Sequence, residues 1–310
     1  MSVLSQPQFH DEEAAFAWLE KTLWNGAPVC PHCGGLDRLT KVKANPAARV
    51  RIGLWRCGDC KKQFTVKVGT VFEHARMPLH KMLQAVHLMC SSKKGISAHQ
   101  LHRILEVQYK TAWFLAHRIR EAMRSGELAP MGGGGGVVEV DETFIGRLEG
   151  QPKKRRSGTT TFKNTVFALV ERGGSTRMFH VEGTTKNELQ AIIRANVDRE
   201  ATIMSDEGRW YLGLDKDFAG HGVVNHSRKE YARGPISTNT VEGSFSIFKR
   251  GMKGVYQHCA EKHLHRYLAE FEFRYNTRTA VGGNDVTRTE RAAVGIKGKR
   301  LTYRRTGENA

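Results

Sequence analysis

Val137-Val138-Glu139-Val140-Asp141 and Ala201-Thr202-Ile203-Met204-Ser205-Asp206 are the two stretches on which the fold turns. Each is an apolar run of strand length that closes on an aspartate, and a strand's side chains alternate between its two faces. Glu139 and Asp141 therefore share a face, while Glu142 points the other way. Acids are informative in a chain as basic as this one, with 49 Lys and Arg against 31 Asp and Glu.

Outward from these runs, further strands are predicted at Asn164 to Glu171, Arg177 to Glu182 and around Val223 to His226. Helices are predicted at about Thr185 to Val197, near Gly208 to Leu214, at about Asn239 to Met252 and at about Glu261 to Arg278. The order β-β-β-α-β-α-β-α is that of the ribonuclease H-like fold, an α/β arrangement with a mixed five-stranded sheet. Its first and fourth strands are neighbours, so Asp141 and Asp206 meet. Paired carboxylates repel unless something positive lies between them, and a hard divalent cation with oxygen ligands is the usual solution. A third ligand has to come from the helix that begins Thr238-Asn239-Thr240-Val241-Glu242, where Asn239 and Glu242 share a face and Lys249 lies two turns on. The same pair also reads as a helix start, with Asn capping and Glu closing a box. Glu139 and Glu142 rank as supporting or solvated groups.

Upstream, Asp11 to Trp24 has the spacing of a short amphipathic helix, and Cys30-x-x-Cys33 and Cys57-x-x-Cys60 follow in a β-rich segment. Two such pairs carried on knuckles form a tetrahedral thiolate site with no position left for a catalytic water, a structural zinc site. Cys90 and Cys259 read as buried thiols. Pro78 opens a predicted helix running to about Ser91, and Ser97 to Ile104 with Gln108 to Met123 has the plan of a helix-turn-helix. Its second helix offers Lys110, Thr111, His117, Arg118 and Arg120 to DNA. Gly132 to Gly136 reads as a flexible linker. The resulting division is a zinc ribbon at 1–75, a helical DNA-binding segment at 76–130, the glycine linker at 131–136, a catalytic domain at 137–285 and a basic tail at 286–310.

The formal charge of +18 favours polyanionic partners, nucleic acid first. No run of about 18 apolar residues is present to span a membrane, and the polar start lacks the plan of a signal peptide, which predicts a cytoplasmic protein associated with the nucleoid. No fixed-period repeat is present. Nothing in the chain points to a small-molecule substrate.

Taken together, the two cysteine pairs, Val138-Glu139-Val140-Asp141-Glu142-Thr143, Ser205-Asp206-Glu207-Gly208, Asn225-His226-Ser227 before Tyr231, the run from Thr238 to Gly251 and Glu270 to Arg278 resemble the zinc-ribbon, ISXO-like insertion-sequence transposases of the DDE class. The resemblance covers nearly the whole chain. It implies a transposase that binds the terminal inverted repeats of its element and carries out metal-dependent DNA cleavage and strand transfer with Mg²⁺ or Mn²⁺. Asp141 and Asp206 are then the first two metal ligands. Asn239 matches the family's frequent asparagine at the third position, and Glu242 has the spacing to Lys249 found in other transposases. Double-stranded DNA is the implied partner, held by a homo-oligomer in a synaptic complex. Lys110, Arg118, Arg120, Lys249, Arg250, Arg274 and Arg278 are the candidate DNA contacts, with the segments Lys153 to Arg156 and Lys297 to Arg305 adding phosphate contacts. Glu270, Arg274 and Arg278 equally make a helix ion-pair ladder. A DNA-binding regulator with an inactive catalytic domain and a nuclease that cuts without joining are the alternatives.

Overall fold

A computed structural model describes residues 2–126, 128–150 and 162–302, so Lys153 to Arg156 and the end of the tail lie outside the described residues. The chain forms two compact units, Met1–Arg124 with Asn284–Ala310, and Ser125–Gly283.

In the first unit, helix α1 (Glu12–Trp24) starts on Asp11, whose carboxylate accepts the Ala14 amide, and ends on Asn25 in the left-handed conformation. It lies against a three-stranded antiparallel ribbon of β1 (Leu39–Lys41), β2 (Trp55–Cys57) and β3 (Gln63–Phe64). Glu20 joins the two, accepting from Trp55 Nε1 at 2.9 Å and from Lys41 Nζ at 2.7 Å. Gly53 passes so close to Phe16 that a Cβ there would sit 2.1 Å from the ring, and its φ is +72°. Helix α2 (Leu79–Ser91) begins at Pro78, which has no side chain to cap with, and the Glu12 carboxylate takes the Leu79 and His80 amides instead. Helices α3 (Ala98–Leu105) and α4 (Tyr109–Met123) turn through Glu106 in the left-handed conformation.

The second unit is built on a five-stranded sheet of β4 (Val137–Ile145), β5 (Asn164–Glu171), β6 (Thr176–Val181), β7 (Thr202–Ser205) and β8 (Gly220–Val223), in the order β6-β5-β4-β7-β8. The first three strands pair antiparallel, and β4-β7 and β7-β8 pair parallel. This is the mixed sheet of the ribonuclease H-like fold. The fifth strand lies slightly earlier than the predicted Val223 to His226. Helix α5 (Lys186–Asn196) covers one face with Leu189 and Ile193 against Val138, Val140, Phe167, Leu169 and Ile203. Helices α6 (Asn239–Gly251) and α7 (Leu264–Asn276) cover the other, packing Val241, Phe245, Phe248 and Phe271 on Val166, Ala168 and Val170. Among the described residues no helix is long and apolar enough to cross a membrane.

The glycine run is not a free linker. Met131 bridges to Val197, Gly136 N donates to Gly132 O at 2.9 Å, and Gly132 packs where a Cβ would meet Ala201 Cβ at 2.7 Å. Its glycines supply positive φ for a tight turn fastened within the second unit. Much of the predicted basic tail is ordered as well: α8 (Asp285–Val294) returns to the first unit and packs on α2, and Lys299 Nζ donates to the Ala122 and Arg124 carbonyls at the end of α4. The ribbon, α2 to α4 and α8 lie in one compact unit.

The N-terminus of α6 is held from outside the helix. Glu139, fully buried on β4, accepts the Thr240 amide at 2.7 Å, the Val241 amide at 3.0 Å and the Thr240 hydroxyl at 2.9 Å. Its other partner is Arg172, at 2.6 Å, which also donates to Pro235 O, Ser237 O and Ser237 Oγ. Removing the carboxylate leaves buried N–H groups and a guanidinium without their acceptor. Glu139→Ala is expected to lose about 3 to 5 kcal/mol of stability in urea melts, with Glu139→Gln recovering part of it. Equal stability of all three proteins would refute this role.

Candidate active site and metal centre

In the second unit, β7 pairs with β4 only as far as Glu139↔Met204. The same register carried two residues on sets Asp206 beside Asp141. Asp141 does not end its strand, as predicted, but sits in the middle of β4 opposite Ala168 of β5. What ends is the parallel neighbour, and that frees one edge of β4 at the aspartate.

Asp141, Glu142 and Thr143 line one side of a cleft of about 690 Å³, and the other is lined by Glu242, Phe245, Ser246, Lys249 and Arg250 of α6 with Lys253 from the π-helical turn that continues it. Glu242, Phe245, Ser246, Lys249 and Arg250 recur at three- and four-residue intervals, one face of α6. Glu142 is held by Tyr211 Oη at 2.7 Å and Trp210 Nε1 at 3.2 Å. Asp206 accepts the Gly208 amide at 2.9 Å. A Cβ on Gly208 would come within 2.7 Å of Trp210 Nε1, so that turn requires glycine.

The carboxylates crowd one another. Burial, followed by the charge of Glu142 and those of Asp206 and Glu242, pushes the Asp141 carboxyl up to about 8. Burial also raises Glu142 and Asp206. Such a set of oxygen donors, costly when charged and alone, fits a hard divalent cation. The charges of Asp206 and Glu242 both bear on Asp141, which makes these three the candidate donors, although among the described residues only the four ribbon cysteines have their donor atoms gathered within reach of a single ion.

Glu242 is oriented by Thr238 Oγ1 at 3.0 Å and lies 3.6 Å from His226 Nε2. His226 is placed by Glu207, which accepts the His226 and Ser227 amides and the Ser227 hydroxyl and is thereby held down at about 2. Asn239 is the first residue of α6, exposed and outside the cleft lining. The capping box read at this helix start does not form: Thr238 is the N-cap, and Glu139 supplies the acceptor.

Sequence reasoning underestimated Glu139, and it assigned nothing to His226, Glu207 or Lys253. The Asn225-His226-Ser227 motif was visible, but its bearing on Glu242 requires a loop to fold back across the sheet edge. Among the candidate DNA contacts, Lys249 and Arg250 line the cleft. Arg274 is buried and paired with Glu270, which also accepts from Tyr256 Oη at 2.6 Å, so this part of the ladder is core structure rather than a DNA contact. Arg278 donates to the Gly174 and Tyr275 carbonyls at 2.9 Å and stacks on Tyr275. In the first unit, Lys110 is exposed and Arg118 half-buried, whereas His117 and Arg120 are buried at 1% and 2% exposure and face the core instead of DNA.

Also in the first unit, the sulfurs of Cys30, Cys33, Cys57 and Cys60 all lie within 4.8 Å of one another. Gly34 turns the first knuckle with φ +76°, its amide donating to Cys30 O. A Cβ on the neighbouring Gly35 would meet Asp59 Oδ2 at 2.8 Å. Four thiolates at this spacing fit a tetrahedral zinc ion. Cys90 is buried with its thiol toward Arg288 O, and Cys259 is half-buried beside Ala260 O, apart from this cluster.

Residues 134–276 match the ISXO2-like transposase domain, and residues 10–63 match the transposase zinc-ribbon domain. A protein described as an uncharacterized protein in transposable element ISH50, from Halobacterium salinarum, is 28% identical over 280 residues, covering 86% of this chain and 91% of its own. Among solved structures, the chain is similar to a pre-cleavage Mos1 transpososome at 12% identity and TM-score 0.25, covering 71% of this chain and 79% of that one. A Mos1 strand transfer complex matches at 13% identity and TM-score 0.28, covering 74% and 82%.

Two outcomes follow from the site. Because Asp141 titrates at about 8 when folded against an ordinary 3.8, its contribution to stability is fully present below about pH 4 and is lost as the pH rises towards 8. Asp141→Asn, neutral throughout, is therefore expected to melt several degrees above wild type at pH 8 without added metal and with wild type at pH 4, while millimolar Mg²⁺ raises only the wild-type Tm. A wild type that melts higher at pH 8 would contradict the assigned repulsion. For the ribbon, elemental analysis is expected to return one zinc per chain, and Cys57→Ser to lose it together with protease resistance of residues 10–63. A metal-free protein with an intact ribbon would overturn the assignment.

Proposed function

We propose that this chain, in which residues 134–276 match an ISXO2-like transposase domain and residues 10–63 a transposase zinc-ribbon domain, is a transposase that binds the inverted repeats of an insertion sequence, cuts DNA there and joins the freed end to a target. One observation carries the reading: Asp141 of β4 and Glu242 of α6 line a cleft whose helix wall is otherwise cationic, and the charge of Asp206, at the end of β7, bears on Asp141. Asp141, Asp206 and Glu242 are the proposed ligands of Mg²⁺ or Mn²⁺. Glu242 is preferred over Asn239 because its charge bears on Asp141 and its side chain lines the cleft. Bound there, divalent ions supply the Lewis acidity that in-line displacement at a phosphodiester requires.

The protein's own groups do the rest. Thr238 and His226 orient the Glu242 carboxylate, Glu139 fixes the helix that carries it, and Tyr211 and Trp210 hold Glu142 against the cleft wall. Lys249, Arg250 and Lys253 neutralise phosphates flanking the scissile bond. In the cutting step a water oxygen bonds to phosphorus as the P–O bond to the leaving strand breaks. In the joining step the freed 3′-hydroxyl takes the place of water, so the same groups serve both. Lys110, exposed in the first turn of α4, is the proposed helix-turn-helix contact to DNA. A homo-oligomer that pairs two element ends, at work in the cytoplasm on the nucleoid, completes the proposal.

The test is an in vitro cleavage and joining assay on a DNA end from the flanking repeat, with Mg²⁺ or Mn²⁺. Asp141→Ala and Asp206→Ala are expected to abolish both steps. Glu242→Ala should lose at least about a hundredfold and Asn239→Ala less than about tenfold. The reverse order of the last two would make Asn239 the third ligand. Wild-type binding without cutting under either metal would sink the enzymatic reading in favour of a regulator, and cutting without joining would leave a nuclease.

A further inference from the structure

The first unit contains two adjoining cavities that the proposed reaction does not use. One, of about 670 Å³, has the buried side chains of Met82 and Leu115 and the half-buried Met77 and Phe114 in its lining, with Arg76, Lys110 and Arg118 around them. The other, of about 600 Å³, is lined by Phe16, Val50 and Ile52 with Arg49, Arg51 and Lys67. Arg76 and Met77 line both, so the two form one trough. Six cations border it: Arg49, Arg51, Lys67, Arg76, Lys110 and Arg118. Its one acid, Glu12, is already taken by the Leu79 and His80 amides and by the His80 ring at 2.7 Å.

The charge selects an anionic partner, and the apolar lining selects one with flat hydrophobic groups. A duplex backbone meets the first condition only, since its bases are stacked away inside the helix. Arg118 supplies a preformed platform: its guanidinium lies 4.7 Å from the Phe114 ring centroid, and its Nε has no hydrogen-bond partner among the described residues. A stacked arginine and aromatic beside a cationic rail is the arrangement that holds unpaired nucleotides. Cavities of this size accommodate individual nucleotides rather than a double helix.

We propose that this trough binds single-stranded DNA, taking successive unpaired bases against Met77, Phe114 and Arg118 and their phosphates on Arg49, Arg51 and Arg76. The inference rests on the DNA-processing reading above, because cutting at an element end frees a strand that must be kept from reannealing.

Fluorescence anisotropy with full-length Asp141→Asn protein tests it, using a labelled twelve-nucleotide oligothymidylate and a labelled duplex of the element end. Arg76→Ala combined with Phe114→Leu is expected to weaken oligothymidylate binding about 5- to 150-fold, to flatten its log-log salt dependence by about 0.7 for the phosphate no longer neutralised, and to leave duplex affinity within about twofold. Arg76 is exposed, so Arg76→Ala alone, which should weaken binding less but in the same direction, keeps the test valid if the double variant misfolds. No oligothymidylate binding, or unchanged binding by the variants, overturns the proposal. So does an equal weakening for duplex, which would make the trough part of a duplex-binding face. Running the cleavage assay on the same preparations, without Asp141→Asn, separates the two readings. A wild type that binds the single strand in the trough but never cuts removes the enzyme and leaves the trough; one that cuts while the variants bind normally removes the trough and leaves the enzyme.

Discussion

The Glu139 carboxylate is the joint of the catalytic unit. Its oxygens satisfy the first amides of α6, the Thr240 hydroxyl and the Arg172 guanidinium at once. Arg172 in turn grips the chain just ahead of the helix through Pro235 and Ser237. A helix N-terminus concentrates unpaired donors and partial positive charge, so a buried anion placed there is stabilised and fixes where the helix begins. Because Glu139 lies two residues before Asp141 on the same strand face, this bond sets α6, and with it Glu242 and Lys249, at a defined distance from the aspartate. An acid two residues from Asp141, itself outside the cleft, thus builds the site.

The cleft is expensive by design. Two raised carboxyls, Asp141 and Glu142, line it and a third, Asp206, bears on them by charge, with burial the largest cause for each. A protein selected for stability alone would replace at least one of them with an apolar side chain. Keeping them makes sense where a dication offsets the repulsion, and the cationic α6 wall gives the same cleft an attraction for phosphate. Glu207 shows the contrast next door: supplied with two amides and a hydroxyl, its carboxyl is held low and serves as a fastening for the His226 loop.

The first unit uses the same physics for assembly. Glu12 on α1 caps α2, and Glu20 ties α1 to the ribbon through Trp55 and Lys41. Lys299, distant in sequence, closes the carbonyl end of α4. Charged side chains that look solvated along the chain become caps once a partner element is brought beside them.

Much of this was legible in the residues themselves. Local rules were enough where the signal is local: the cysteine pairs at knuckle spacing, the strand runs around Asp141 and Asp206, the one-face spacing of Glu242 and Lys249, and with them the ribonuclease H-like order of elements. Periodicity and ligand chemistry act over a few residues, so a single chain displays them. Tertiary structure alone decided the rest: that the glycine run is a fastened turn, that α8 returns to the first unit, that Arg120 and Arg274 face inward, and that Glu139 caps α6 while Asn239 stays outside the cleft. Each of these depends on which element packs against which. A buried charge and a solvated one are written with the same residue, and only the partner brought up by the fold tells them apart.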